Sequence, residues 1–261
     1  MPYNFKTKPT EVGAATFPGE STTGLTDSTN VIVDSQRRIR PRYIPKIDQL
    51  QTALNARLVP ASGGELMTVI PDQSNNNHPL TQETENARPT YQQNTVARKL
   101  PSFRFDGQDS YIDTHFETIR QPFTVAFLFD IREFPSSGNQ YTIFRDPNSN
   151  IKFGVEDDGS GKVQWRISAG STVKVGELTQ STYVMNITFN EDSTTLRTNG
   201  SSATVSSTIG TDALDGIQLS ESSNGASYDL TEFLLYKHDL SGSNSLLESY
   251  LNRDTNLVSS P

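Results

Sequence analysis

One stretch of strand-like residues limits the folds that this chain can adopt. Residues 101–131 contain a short alternating run, an Asp-Gly pair, a second polar run and then the segment 123–129, FTVAFLF. Phe103 and Phe105 alternate with polar neighbours, which is the period-two pattern of a half-buried strand. The segment 123–129 is apolar on both faces that a strand presents, so we expect a central strand that is covered on each side.

Short apolar runs at regular spacing continue through the C-terminal half. They include the segments 141–144, 151–155, 162–168, 172–175, 183–189 and 229–237. Only 33% of the 261 residues are hydrophobic, and there is no cysteine. Many short strands joined by polar turns fit one sandwich-type domain with an extension, although two small domains are also compatible with this length.

One of these runs predicts a polar surface as well as a core strand. In the segment 162–168, Trp165 and the residues two positions before and after it are apolar. Gln164 and Arg166, at the positions between them, are polar. Side chains at alternate positions of a strand point to opposite faces of the sheet. The polar face of this strand must therefore meet either water or a ligand.

The N-terminal 44 residues resemble an arm more than a domain, since Pro, Gly, Ser and Thr dominate and apolar residues are scattered. The end of this arm is a basic strip. The candidate attachment residues in the strip are Arg37, Arg38, Arg40, Arg42 and Tyr43. Residues 1–100 carry a charge balance of +2 and residues 101–261 one of −10, which together give the net charge of −8. The strip is compatible with docking to an acidic partner and with a solvated connector. Nucleic acid is a poor fit, because the body is acidic and only Tyr43 could stack on a base.

The segment 45–58 shows helical spacing. Ile47, Leu50, Leu54 and Leu58 recur at intervals of three and four, with prolines at either end. We therefore predict an N-terminal helix and connector over 45–64, followed by the sandwich over 65–261. A second short amphipathic helix is expected at 245–251.

Several of these segments resemble the concanavalin A-like lectin/glucanase superfamily, in its laminin G-like branch. The similar elements are Phe105-Asp106-Gly107 followed by Phe123-Thr124-Val125, the turn at 72–78, the Arg-Pro-Thr-Tyr run at 88–91 and the closing strand at 229–237. The likeness covers residues 65 to about 253 and is strongest to members from viruses of bacteria. It implies an all-β, concanavalin A-like jelly-roll sandwich of two antiparallel sheets, which the N-terminal arm and helix predicted above precede.

The superfamily also contains glycoside hydrolases, so the carboxylates need separate consideration. Retaining enzymes place two carboxylates about 5 to 5.5 Å apart across the sugar. The superfamily's hydrolases use a Glu-x-Asp-x-Glu motif, or a near relative of it, on one strand. This sequence contains no such triplet. Glu156, Asp157 and Asp158 are contiguous, so we interpret them as a solvated hairpin tip and expect no enzymatic activity.

Calcium is the only cofactor that the resemblance suggests. Laminin G-like domains hold calcium at the sandwich rim, and Asp106, Asp109 and Asp113 match the Asp-rich turn involved. The alternative is that Asp106-Gly107 simply forms a turn.

Three functions remain open at this point. The first is a non-enzymatic structural protein of a phage virion, such as a capsid decoration, tail or fibre component. The second is a carbohydrate-binding lectin module that grips glycan with exposed Tyr, Trp or Asn at its loops, and the third is a degenerate glycoside hydrolase.

The first function sets the expected partners and location. No stretch near the N-terminus has signal-peptide character and none approaches a membrane-spanning length, so we expect a virion location. Expected partners are a major capsid protein or tail proteins, host-surface glycan and further copies of this chain, but neither nucleic acid nor membrane.

Overall fold

The computed structural model describes residues 30–33, 39–42, 50–74, 76–94, 100–148, 150–205 and 208–252. The chain divides into two compact units, residues 1–48 and residues 49–261. In the first unit the described residues form a two-stranded antiparallel hairpin. The second unit is a β-sandwich.

The strands are numbered in chain order. The first nine are β1 (Asn30–Val33), β2 (Ile39–Arg42), β3 (Leu50–Asn55), β4 (Val69–Ile70), β5 (Leu80–Thr81), β6 (Thr90–Gln92), β7 (Ser102–Asp106), β8 (Ile112–Ile119) and β9 (Phe123–Ile131). The second nine are β10 (Gln140–Arg145), β11 (Ile151–Asp157), β12 (Val163–Ala169), β13 (Thr172–Val175), β14 (Thr182–Phe189), β15 (Thr195–Thr198), β16 (Ser201–Thr204), β17 (Leu214–Leu219) and β18 (Ser227–Tyr236). Single 3-10 turns span Ala56–Leu58, Glu85–Ala87, Glu191–Ser193 and Ser241–Ser243, and the helix α1 spans Asn244–Asn252.

Two antiparallel sheets make up the sandwich. Sheet 1 has the order β16-β15-β14-β9-β18-β7-β6, and β3 also pairs with β18. Sheet 2 has the order β13-β12-β11-β10-β17-β8-β5-β4. The predicted all-β sandwich of two antiparallel sheets is thereby confirmed.

Strand β9 is the central strand that the sequence predicts. All of its residues are buried, and it lies between β14 and β18 in sheet 1. Phe127 reaches across the sandwich to Phe153 of β11, with ring centroids 5.4 Å apart, and Phe129 meets Trp165 edge-on at 6.2 Å. The apolar faces of β9 and β12 therefore oppose each other, as expected from their alternation.

A second, smaller core lies on the other side of sheet 1. Ala126 and Leu128 of β9 point away from the phenylalanines, yet both are fully buried. The helix α1 packs against β14 and β9, and it buries Leu247, Tyr250 and Leu251. The C-terminal helix predicted at 245–251 is thus observed, and the centre of sheet 1 is covered on both faces. Within the described part of the chain, no helix has the length and apolar character needed to span a membrane.

The N-terminal helix predicted over 45–58 is wrong for residues 50–58. Residues 50–55 form β3, and a single 3-10 turn follows it. Leu50 and Leu54 are four residues apart, a spacing that puts side chains on one side of a helix and also on one face of a strand. Pairing with β18 makes this segment a strand and not a helix, and it places Leu54 in the main core. The sandwich therefore includes residues that the sequence assigned to a connector before residue 65.

Candidate functional site

The outer face of sheet 2 differs from that of sheet 1. Among the described elements, the only α-helix lies on sheet 1. Most outward side chains of sheet 2 are half-buried or exposed, although those of Thr142 and Ser168 are buried. Along one register row, Phe144, Phe153 and Ile167 point into the core. The next row places Arg145 beside Lys152 and Lys152 beside Ser168, all pointing outward. We call the outward side chains of β10 to β13, together with Glu221, the polar face.

The first charged cluster of the polar face centres on Glu221, which follows β17. One carboxylate oxygen pairs with Arg145 Nη1 and lies 3.6 Å from Lys152 Nζ. The other oxygen accepts a hydrogen bond from Thr142 Oγ1 at 2.8 Å. Side-chain exposure is 19% for Arg145 and 16% for Glu221, so the pair is largely shielded from solvent. Partial desolvation makes such an ion pair stronger than one on an open surface.

A tight loop holds Glu221 in place. Ser220 is buried and has a positive φ of 65°, a conformation that costs a non-glycine residue free energy. Its N–H donates to Ile143 O at 2.9 Å, and Asn224 O accepts from Thr142 N at 2.7 Å. A Cβ at Gly225 would lie 2.3 Å from Ser220 Oγ, so only glycine fits there. The loop therefore carries local strain while fixing a carboxylate on the polar face.

The second charged cluster centres on Glu156 of β11. Its carboxylate lies 2.7 Å from Lys174 Nζ and 3.5 Å from Arg166 Nε. Arg166 Nη2 also donates to Thr172 Oγ1 at 3.3 Å. The expectation that Glu156 belongs to a solvated hairpin tip is wrong, because β11 extends to Asp157 and cross-strand cations face Glu156. Asp157 is buried as well, and its carboxylate caps the turn by accepting from Gly159 N at 2.7 Å.

The surroundings of Glu221 favour its charged form. Burial raises the pKa of this carboxyl, but the hydrogen bond from Thr142 and the charges of Lys152 and Arg145 outweigh it. The net pKa therefore lies below its ordinary value. A carboxylate of this kind does not act as a general acid near neutral pH, because that role needs a raised pKa.

The aromatic residues do not form a sugar-stacking platform in the described part of the chain. Trp165 is only 2% exposed and lies within the main core, between Phe153 and Tyr183. Every described tyrosine is buried or half-buried, and Phe134 is the exposed phenylalanine of this region. The expectation that an exposed Trp or Tyr grips glycan is therefore wrong for Trp165 and for the buried tyrosines, whereas Tyr111 and Tyr141 are partly exposed.

The three candidate calcium ligands are not brought together. Asp106 Oδ1 accepts hydrogen bonds from Gln108 N, at 2.9 Å, and from Ser110 N and Oγ. Burial raises the pKa of the Asp106 carboxyl, and these bonds lower it to below its ordinary value. Asp109 is an exposed turn residue, whereas Asp113 lies on β8, where burial raises its pKa. Among the described residues, no group of three or more His, Asp or Glu side chains is placed to hold a metal ion.

Glycine is required in the Asp-Gly turn. Gly107 has a φ of +81°, and a Cβ there would lie 2.9 Å from Ser227 N. The Asp106-Gly107 pair thus forms the tight turn that was the alternative to a calcium site.

Of the candidate attachment residues, Arg40 and Arg42 lie in β2. Arg37, Arg38 and Tyr43 lie outside the described residues.

The other motifs that carry the family resemblance have structural partners. Asp72 accepts from Ala53 N and Ser74 N, each at 2.9 Å, and from His78 N at 2.8 Å. Arg88 donates to the carbonyl of Gln82 at 3.0 Å. These contacts fasten the edge strand β3 and neighbouring turns, and they leave the polar face as the best candidate site.

Comparison with known proteins supports the fold and nothing finer. Trypanosoma rangeli sialidase, in a structure with 2,3-difluorosialic acid as a covalent intermediate, is similar with a TM-score of 0.53 at 13% identity, over 82% of this chain and 34% of that one. The receptor-binding domain of botulinum neurotoxin mosaic serotype C/D is similar with a TM-score of 0.52 at 16% identity, over 78% of this chain and 50% of that one. The chain thus spans about a third and about half of these structures. No protein-family model and no curated protein matches the sequence.

Proposed function

We propose that the protein is a non-catalytic, glycan-binding β-sandwich that uses the polar face of sheet 2. The observation that carries this proposal is the asymmetry between the sheets. The central strands of sheet 1 are buried on their outer side, where α1 packs on β14 and β9, whereas sheet 2 presents charged and amide side chains outward. Side chains on packed strands are positioned more accurately than side chains on loops, which favours a binding role for this face.

The chemistry of the polar face suits sugar hydroxyls. A hydroxyl donates one hydrogen bond and accepts others, so a binding surface needs donors and acceptors side by side. Arg166 with Glu156, and Arg145 with Glu221, are such pairs. Gln164 lies beside Glu156 on the neighbouring strand and supplies both a donor and an acceptor. Half-buried charged groups form stronger hydrogen bonds to a ligand than exposed ones do.

The absence of catalysis is part of the proposal. Glu156 and Glu221, the carboxylates of the polar face, are each held by two cations. The pKa of Glu221 is lowered, opposite to the shift that a general acid requires. Purified protein is therefore expected to release no reducing ends from β-glucan, agarose or carrageenan. Hydrolysis that disappears in Glu221→Gln would contradict this part of the proposal.

A glycan array tests the binding itself. The wild type and Arg166→Ala are compared, with Lys237→Ala as the matched control, because Lys237 is an exposed cation beyond the end of β18. Arg166→Ala is expected to remain folded, since a partly exposed pair contributes only about 0 to 1 kcal/mol. Glycan signals should be lost in Arg166→Ala and kept in Lys237→Ala. An array without glycan signals, or signals that survive Arg166→Ala, would overturn the proposal.

A second candidate function is a structural role in a phage virion, with the sandwich displayed outward. The observation that favours it is the separate unit of residues 1–48, whose hairpin includes Arg40 and Arg42. A basic segment joined to an acidic sandwich suits attachment to an acidic partner such as a capsid or tail protein. The two functions are compatible, because a virion protein can bind host-surface glycan.

Removal of residues 1–44 tests this second function. The truncated protein loses the β1–β2 hairpin but keeps β3 and the whole sandwich, so it should retain a β-sheet circular dichroism spectrum and a cooperative thermal melt. It should no longer co-sediment with phage particles that incorporate the full-length chain. Normal incorporation of the truncated protein would exclude the N-terminal segment as the attachment element.

A further inference from the structure

We propose that the polar face selects anionic glycans, carrying carboxylate or sulfate groups, over neutral ones. The inference rests on the proposed glycan-binding function and adds the ligand class. Its basis is the balance of charge on the outward side chains of β10 to β13. The cations are Arg145, Lys152, Arg166 and Lys174, and the carboxylates are Glu156 and Glu221.

The polar face reverses the charge of the domain around it. Four cations against two carboxylates leave an excess of two positive charges on this face. Residues 101–261 as a whole carry a balance of −10. A positive patch on an acidic domain attracts anions locally, whereas the rest of the surface repels them. The acidic residues of β8 border the patch, since Asp113 continues the Arg145 row beyond Gln218.

Each of the two lysines shares its carboxylate with an arginine. Lys152 Nζ lies 3.6 Å from the Glu221 carboxylate, longer than a normal hydrogen bond, and this oxygen already pairs with Arg145. Lys174 is 44% exposed, and it shares Glu156 with Arg166. In each cluster one carboxylate thus faces two cations. An incoming carboxylate or sulfate would balance the second cation. In the Glu221 cluster, where Arg145 and Glu221 are largely shielded from solvent, this attraction is stronger than in water.

The aromatic residues point to the same ligand class. Neutral sugars gain much of their affinity by stacking a ring face on an exposed aromatic side chain. The polar face has no outward aromatic residue among the described positions of β10 to β13, because Trp165 faces the core and Tyr141 shares its row. Affinity must then come from hydrogen bonds and charge, and an anionic group is the ligand that uses the excess cations.

Isothermal titration calorimetry with matched ligand pairs tests the selectivity. The first pair is tetragalacturonate and its fully methyl-esterified, neutral form, and the second is a sulfated galactose tetrasaccharide and its unsulfated counterpart. The anionic member of at least one pair should bind about tenfold more tightly, the effect of a single charge-assisted hydrogen bond. Lys152→Gln and Lys174→Gln should each weaken that binding about threefold, and 0.5 M NaCl should weaken it further. Lys237→Gln is the control and should bind as the wild type does, because Lys237 follows β18 of sheet 1 and is not on sheet 2.

The outcomes separate the two proposals. The pair that shows the preference identifies carboxylate or sulfate as the recognised group. Equal binding of the charged and neutral members, or unchanged binding by both lysine variants, overturns the anionic selectivity. In that case, if the array signals of neutral glycans are lost in Arg166→Ala, the proposed glycan-binding function still stands. An array without any glycan signal overturns both proposals together.

Discussion

Arg197→Ala should destabilise the protein far more than Glu248→Ala does, although the two residues form one ion pair. Arg197 of β15 donates from Nε and Nη2 to the two oxygens of Glu248 in α1, at 2.9 and 3.0 Å. Glu248 is buried, with 3% of its side chain exposed, whereas Arg197 is 24% exposed. The hydrogen bond and charge of Glu248 raise the pKa of Arg197, so its guanidinium stays protonated.

The asymmetry follows from what each substitution leaves behind. Arg197→Ala leaves a carboxylate with no counter-charge beneath α1, and breaking a buried pair in this way costs about 3 to 5 kcal/mol. Glu248→Ala leaves an arginine that keeps Ser202 Oγ at 2.6 Å and Gly200 O at 3.0 Å, and that reaches solvent. Glu248→Ala should therefore cost about 1.5 to 3 kcal/mol, the range for a hydrogen bond to a charged group.

The double variant completes the cycle. With both partners absent, no buried charge is left unpaired, so the double variant should be about as stable as Glu248→Ala and more stable than Arg197→Ala. The coupling energy should then approach the loss in Arg197→Ala, about 3 to 5 kcal/mol. Urea melts at pH 7 followed by tryptophan fluorescence measure all four proteins, because Trp165 reports on the main core. Lys174→Ala serves as the control, since its pair with Glu156 is exposed and should contribute at most about 1 kcal/mol. Equal and additive losses for the two single variants would refute this account of the helix attachment.

Four further predictions follow from the fold and the polar face. Phe127→Ala should cost about 3 to 5 kcal/mol in urea melts, because this fully buried ring contacts both sheets; a wild-type melt would place β9 outside the core. Gly154→Ala should lower the melting temperature sharply, since its Cβ would lie 2.0 Å from a backbone oxygen of β10. Deletion of residues 1–64 should unfold the sandwich that deletion of 1–44 leaves intact, because only the longer deletion removes β3. Glu221→Gln should be less stable than wild type at neutral pH, because the lowered pKa of Glu221 favours the folded state above about pH 4. The difference in stability between the two proteins should vanish as pH falls through that lowered pKa.

The polar face was only half visible in the sequence. Alternation within 162–168 correctly puts Arg166 and Gln164 on the side opposite Trp165. The same pattern does not pair Arg166 with Glu156, because that contact depends on the register between β11 and β12. Glu221 carries no local signal at all. It reaches Arg145 through the loop after β17, and 76 residues separate the two along the chain.

Alternation and composition by themselves determined the class of this protein, because they act over a few residues. A strand with two apolar faces must lie between two layers, and the run at 123–129 does so. The tertiary structure alone decided what the local pattern left ambiguous. Leucines four residues apart suit a helix and a strand equally, and pairing with β18 makes residues 50–55 a strand. The same holds for the charged clusters, since side chains on different strands meet only when the long-range register of the sheet is set.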